Sequence, residues 1–128
     1  MSITVEQLVR RCHQASYDAG WWHTVESGEP LLQNEEYAPY VIATKLLLTI
    51  SEVIEGMEGH RKGDLMDDKL THRLMLETEL ADAVIRICDL AGALNLDLAG
   101  AIEEKMAFNT TRPDHKVTAR RAAGGKRY

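Results

Sequence analysis

The stretch Lys45-Leu46-Leu47-Leu48-Thr49-Ile50-Ser51-Glu52-Val53-Ile54-Glu55 decides the class of fold. Leu46, Ile50 and Val53, continued by Met57, recur at steps of four and three, which is the period of a helix and not the alternation of a strand. The segment is apolar over more than that stripe. Val41, Ile42, Leu47, Leu48 and Ile54 cannot share one face with it, so more than one neighbour is needed to cover this helix. Lys45 interrupts the most apolar run, Tyr40 to Ile50, which is too short to span a bilayer.

The same period extends outward in both directions. Downstream, Leu76, Leu80, Ala83, Ile87, Leu90 and Leu94 predict a helix from about Asp68 to Leu94, after an acidic turn over 64–68. Asn95 and Asp97 then break the chain, and Asp97 is placed to cap a fourth helix reaching about Asn109, with Arg112-Pro113 as its stop. Upstream, Val5, Leu8, Cys12, Ala15 and Ala19 predict a first helix from Thr4, where Thr4 and Gln7 can form a capping box and Gly20 ends it. Residues 20–34 read as a loop holding the paired Trp21 and Trp22. The central helix starts near Asn34, tolerates Pro39 in its first turns and ends at Lys62 before Gly63. The expected architecture is all-α, a four-helix bundle over residues 1–112 with antiparallel neighbours, followed by an extended basic tail over 113–128.

Charge is divided along the chain. Residues 1–104 hold 8 Lys/Arg against 19 Asp/Glu, a net −11, while residues 105–128 hold 7 against one, a net +6. An acidic body calls for cations and a basic end for an anion, and the −11 body would repel a nucleic-acid backbone. Cys12 and Cys88 lie far apart with no CxxC spacing, as in a reduced cytoplasmic protein, and Glu6, Arg10 and Arg11 leave no secretory apolar region near the start. No membrane partner is expected.

Two carboxylate pairs carry the chemistry. Glu52 and Glu55 form an ExxE, and Glu79 and Asp82 form an ExxD; residues three apart share a helix face. Each pair begins just before an expected core position, Val53 or Leu80, so both flank the apolar seam. On antiparallel helices the four would converge, and a hard divalent cation, Mg²⁺ or Mn²⁺ in its place, would let them coexist. None of the five histidines has a Glu three residues before it, which disfavours a di-iron bundle. No P-loop and no G-x-S-x-G occurs.

The segments 45–55, Glu79-Leu80-Ala81-Asp82-Ala83-Val84-Ile85-Arg86 and Glu104-Lys105-Met106-Ala107-Phe108-Asn109-Thr110-Thr111-Arg112-Pro113, in that order, resemble the MazG-like all-α nucleoside triphosphate pyrophosphohydrolases. Gly20-Trp21-Trp22 and the terminal Gly124-Gly125-Lys126-Arg127-Tyr128 resemble compact members encoded by phages and bacteria. The resemblance implies hydrolysis of a (d)NTP to the monophosphate and pyrophosphate. It assigns Mg²⁺ to Glu52, Glu55, Glu79 and Asp82, with Glu52 and Glu55 also catalytic, and phosphate contact to Lys105 and Asn109. The family commonly has Glu where this chain has Ser51. Chemistry alone adds Lys62 or Arg61 and Arg112 as phosphate cations, and Trp22 or its neighbour as a base-stacking surface or a lid on the core. The excess apolar surface implies a homodimer or homotetramer. A non-catalytic helical module that binds a nucleotide or a protein is the alternative.

Overall fold

The computed structural model describes residues 2–128. Among them the chain is all-α, with two isolated β-bridges, His23–Pro30 and Met66–Leu74, inside its loops. It divides into two compact units, Met1–Leu96 and Asp97–Tyr128. No helix is long and apolar enough to cross a membrane.

The first unit contains α1 (Val5–Asp18), α2 (Ala38–Arg61) and α3 (Met75–Ala93). The Thr4 hydroxyl accepts from the Gln7 N–H while the Gln7 side chain accepts from the Thr4 N–H, so the capping box forms. α2 begins later than its pattern predicts. The Asn34 side chain accepts from the N–H groups of Glu36 and Tyr37, closing a turn, and Pro39 then occupies the first helical turn, where its missing donor costs nothing. α3 also begins late, at Met75 and not near Asp68. Asp67 Oδ2 accepts from the N–H of Lys69 and of Leu70, both at 2.8 Å, and Thr78 Oγ1 donates to Asp67 Oδ1. These bonds give the backbone an alternative to helix, and the Met66–Leu74 bridge closes the loop.

α3 packs along both α1 and α2. Its contacts with α2 pair Gly59 with Met75, Gly56 with Leu76 and Glu79, and Glu52 with Arg86, so the two helices run antiparallel. The side of α2 that meets α3 is not its apolar stripe. Glu52, Gly56 and Gly59 are buried, whereas Leu46, Ile50, Val53 and Met57 are each about half exposed. The expected core stripe of α2 is therefore corrected: the helix turns its small and polar side inward. A Cβ at Gly59 would meet Met75 at 2.9 Å, and one at Gly56 would meet the Cβ of Glu79 at 3.3 Å. Glycine at both positions is what lets the backbones approach. In α3, Ala83 and Leu90 are core as expected, while Leu80 and Ile87 are exposed.

The small core of the first unit includes Cys12, Trp22, Ala83, Cys88, Leu90 and Ala91. Both cysteines are free thiols and lie against one another, and burial pushes both above the ordinary thiol pKa. The second unit contains α4 (Leu98–Thr111), a 3₁₀ turn (Pro113–His115) and α5 (Val117–Arg121). Asp97 caps α4 by accepting from the Gly100 N–H. The segment expected to be an extended tail is thus partly helical. Asp114 organises it, bonded to both Arg112 and Lys126, while Arg120 donates to the carbonyls of Lys126 and Arg127.

Candidate metal centre

Glu52, Glu55 and Glu79 meet at the α2–α3 seam, and one carboxylate oxygen of each lies within 4.8 Å of the others. The sequence brings them together in a simple way. Glu52 and Glu55 are one turn apart on α2, Glu79 faces them from α3, and the missing side chain of Gly56 admits the Glu79 Cβ. Glu52 does not flank the seam but lies in it, 8% exposed, while Val53 beside it is 49% exposed. Asp82 is one turn beyond Glu79, exposed, and close enough to feel the charge of Glu52.

The electrostatics follow from that crowding. Burial pushes the Glu79 carboxyl up to about 7, helped by its hydrogen bond with Glu52 and by the charges of Glu55, Glu52 and Asp82. Burial likewise raises Asp82, as does Glu52, and Arg86 opposes them. Arg86 is the cation bonded into the cluster, its Nε donating to Glu52 Oε1 at 2.6 Å. The residues fit a hard divalent ion. All donors are carboxylate oxygens, the ligand type hard divalent ions take, and one from each of the three residues lies within 4.8 Å of the others.

Behind the cluster on α3, Asp89 is 9% exposed and bonded through one oxygen. Its Oδ1 accepts from Trp22 Nε1 at 2.8 Å and pairs with His13 Nδ1 at 2.9 Å. The node ties α1 and the 20–34 loop to α3, and periodicity did not single it out. Its only sequence signal is an Asp inside an apolar helical stretch. Trp22 is 4% exposed and carries Lys45 Nζ over its ring at 4.4 Å, so it serves the core. Trp21 is the exposed member of the pair, and its carbonyl accepts from Lys45 Nζ. With His23, Tyr37, Tyr40, Lys45 and Leu48 it lines a largely apolar cavity of about 480 Å³. Burial lowers the Lys45 pKa, as does Arg86, and Asp89 counteracts both.

The other predicted site residues are placed as follows. Lys62 caps the end of α2, exposed and 4.0 Å from Glu58, and Arg61 pairs with the same Glu58. Lys105, Asn109 and Arg112 belong to the second unit. Lys105 Nζ lies over the Phe108 ring at 5.4 Å, Asn109 Oδ1 is buried without a hydrogen-bond partner, and Arg112 forks onto Asp114. That fork, with Lys126, holds the Asp114 carboxyl well below the usual carboxylate range. Compared with protein-family models, curated proteins and solved structures, the chain finds no match.

Proposed function

We propose that the chain is a Mg²⁺-dependent pyrophosphohydrolase of the MazG-like kind, converting a nucleoside triphosphate and water to the monophosphate and pyrophosphate. The observation that supports it is the meeting of Glu52, Glu55 and Glu79 on antiparallel α2 and α3, with Asp82 one turn on. An ExxE opposite an ExxD in this register is what the family resemblance requires of the chain, and an uncompensated set of this kind is electrostatically costly. Glu52, Glu55, Glu79 and Asp82 would hold the ion. When bound, Mg²⁺ supplies charge neutralisation at the substrate phosphates and lowers the pKa of a coordinated water.

The remaining roles fall to the chain's own side chains. Glu55 is the exposed member of the trio and the best placed to accept the proton of the attacking water, with Glu52 held beside it. Lys62 offers a cation at the end of α2, and by the family resemblance phosphate contacts fall to Lys105 and Asn109 of the second unit, where Arg112 would add charge once freed from Asp114. Trp21, in place of the buried Trp22, offers a face for the base. The four-helix bundle and its homodimer or homotetramer belong to the same proposal. The exposed stripe Leu46, Ile50, Val53 and Met57 is what a second copy would cover.

The test is a panel of nucleoside triphosphates incubated with Mg²⁺, with Mn²⁺ and with EDTA, the products separated by ion-exchange chromatography. Monophosphate and pyrophosphate should form with either ion and disappear in chelator. Undiminished turnover in EDTA, or diphosphate and orthophosphate as products, would contradict the proposal.

A further inference from the structure

Arg86 is held in the acidic seam by a single bond. Its Nε donates to Glu52 Oε1 at 2.6 Å, at the short end for a charge-assisted hydrogen bond. The two partners differ in freedom. The Glu52 side chain is 11% exposed, while that of Arg86 is 40% exposed, and among the described residues Nη1 and Nη2 make no hydrogen bond. Two terminal amino groups thus remain free at the surface of a seam crowded with the carboxylates of Glu52, Glu55, Glu79 and Asp82. Arg86 also follows Asp82 by one helical turn on α3, so its guanidinium enters on the side of the carboxylates.

A divalent ion at Glu52, Glu55 and Glu79 would need the carboxylate that Arg86 now holds. Two cations drawn to one carboxylate repel each other, and only Arg86 has a flexible stem and an open path to solvent. A guanidinium released there is a planar donor fork, the shape that pairs with phosphoryl oxygens.

We infer that Arg86 is an exchangeable cation: it holds Glu52 when no divalent ion is present, and yields Glu52 to the ion to take a phosphoryl oxygen of the substrate. This rests on the pyrophosphohydrolase reading for the identity of the anion, but the exchange itself can be tested without any nucleotide.

The experiment compares wild type, Arg86→Gln and Arg86→Lys. Mn²⁺ binding is measured by calorimetry and electron paramagnetic resonance without nucleotide, and turnover is measured separately. Arg86→Gln removes the competitor and should bind Mn²⁺ about tenfold more tightly, the lower end of what one charge at 4–6 Å does to a neighbouring ionisation. Its turnover should nevertheless fall about 10²-fold or more, as when one donor to a developing oxyanion is lost. Arg86→Lys keeps the charge, so its Mn²⁺ affinity should stay near wild type while turnover falls. Tighter metal with slower chemistry is a pairing that a merely structural arginine would not produce. Weaker or unchanged Mn²⁺ binding by Arg86→Gln would overturn the exchange. A further measurement requires no variant. In wild type, Mg²⁺ should move the Arg86 Nε–Hε resonance away from its hydrogen-bonded position and speed its exchange with water, and an unmoved resonance at saturating Mg²⁺ would overturn the inference. Wild type that binds no Mn²⁺ defeats both readings. Wild type that binds Mn²⁺ but cleaves no triphosphate defeats the enzymatic reading and the phosphate contact, and leaves the exchange to be decided by the binding and resonance data.

Discussion

Replacing Glu79 with Gln should make the metal-free protein more stable at neutral and alkaline pH, in a window set by its displaced titration. The Glu79 carboxyl is raised from 4.5 to about 7, first by burial, then by its bond with Glu52 and the charges of Glu55, Glu52 and Asp82. The folded protein therefore keeps a proton that the unfolded chain releases near 4.5. The stabilisation this represents is complete below about pH 4.5 and is lost as pH rises through about 7. Converted directly, the shift would be worth about 3.4 kcal/mol, but the cluster opens to water, and screening reduces this to about 1–2 kcal/mol. Glu79→Gln retains the size and a donor for Glu52 but does not titrate. In EDTA its stability should be flat across the window where wild type declines, leaving the variant ahead by about 1–2 kcal/mol at pH 8. Mg²⁺ should reverse the order, since wild type gains about 2.7 kcal/mol once the ion exceeds its Kd a hundredfold and the variant gains less. Urea unfolding at pH 5, 6, 7 and 8, in EDTA and in Mg²⁺, reads both effects. Parallel pH slopes for the two proteins in EDTA would refute the reasoning, because Glu79 would then not carry the retained proton.

Two further outcomes follow from the packing. Asp89→Ala strands the indole N–H of the buried Trp22 and the ring of His13, and should cost about 2–4 kcal/mol in a urea titration, with Asp89→Asn losing clearly less; equal losses would mean that the acceptor oxygen is not what matters. If a second copy covers the outer stripe of α2, light scattering should give at least twice the 14.4 kDa chain mass and Ile50→Glu should lower it, whereas a fully active single-chain species would remove the oligomer from the account.

Much of the helical content was legible because capping and stop signals are local. Thr4 with Gln7, Asp97 before Leu98 and the stop at Arg112-Pro113 all act where the sequence places them. The late starts of α2 and α3 were not legible, because Asn34 and Asp67 are also good helix-starting residues. Whether such a side chain caps a helix or closes a turn depends on partners such as Thr78, eleven residues from Asp67. The tail misled for a related reason. A run rich in Lys and Arg reads as solvated and extended, and Asp114, its only acid, is what folds it back onto Arg112 and Lys126.

The reversal of α2 is the instructive failure. Binary patterning assumes that the apolar stripe faces the chain's own core, and on that assumption Glu52 stands beside the seam and Val53 inside it. The structure puts Glu52, Gly56 and Gly59 inside and leaves Leu46, Ile50, Val53 and Met57 half exposed. A helix pays for a buried carboxylate only where something offsets it, and here Arg86 does so in part. The sequence pattern thus records two features at once, an inner side of small and charged residues that permits close approach, and an outer apolar side left about half exposed. The ExxE and ExxD spacings were readable because residues three apart share a face whichever way the helix is turned. Which of the two pairs is deep and which is open was not, since that depends on a rotation fixed by two glycines and by the partner helix.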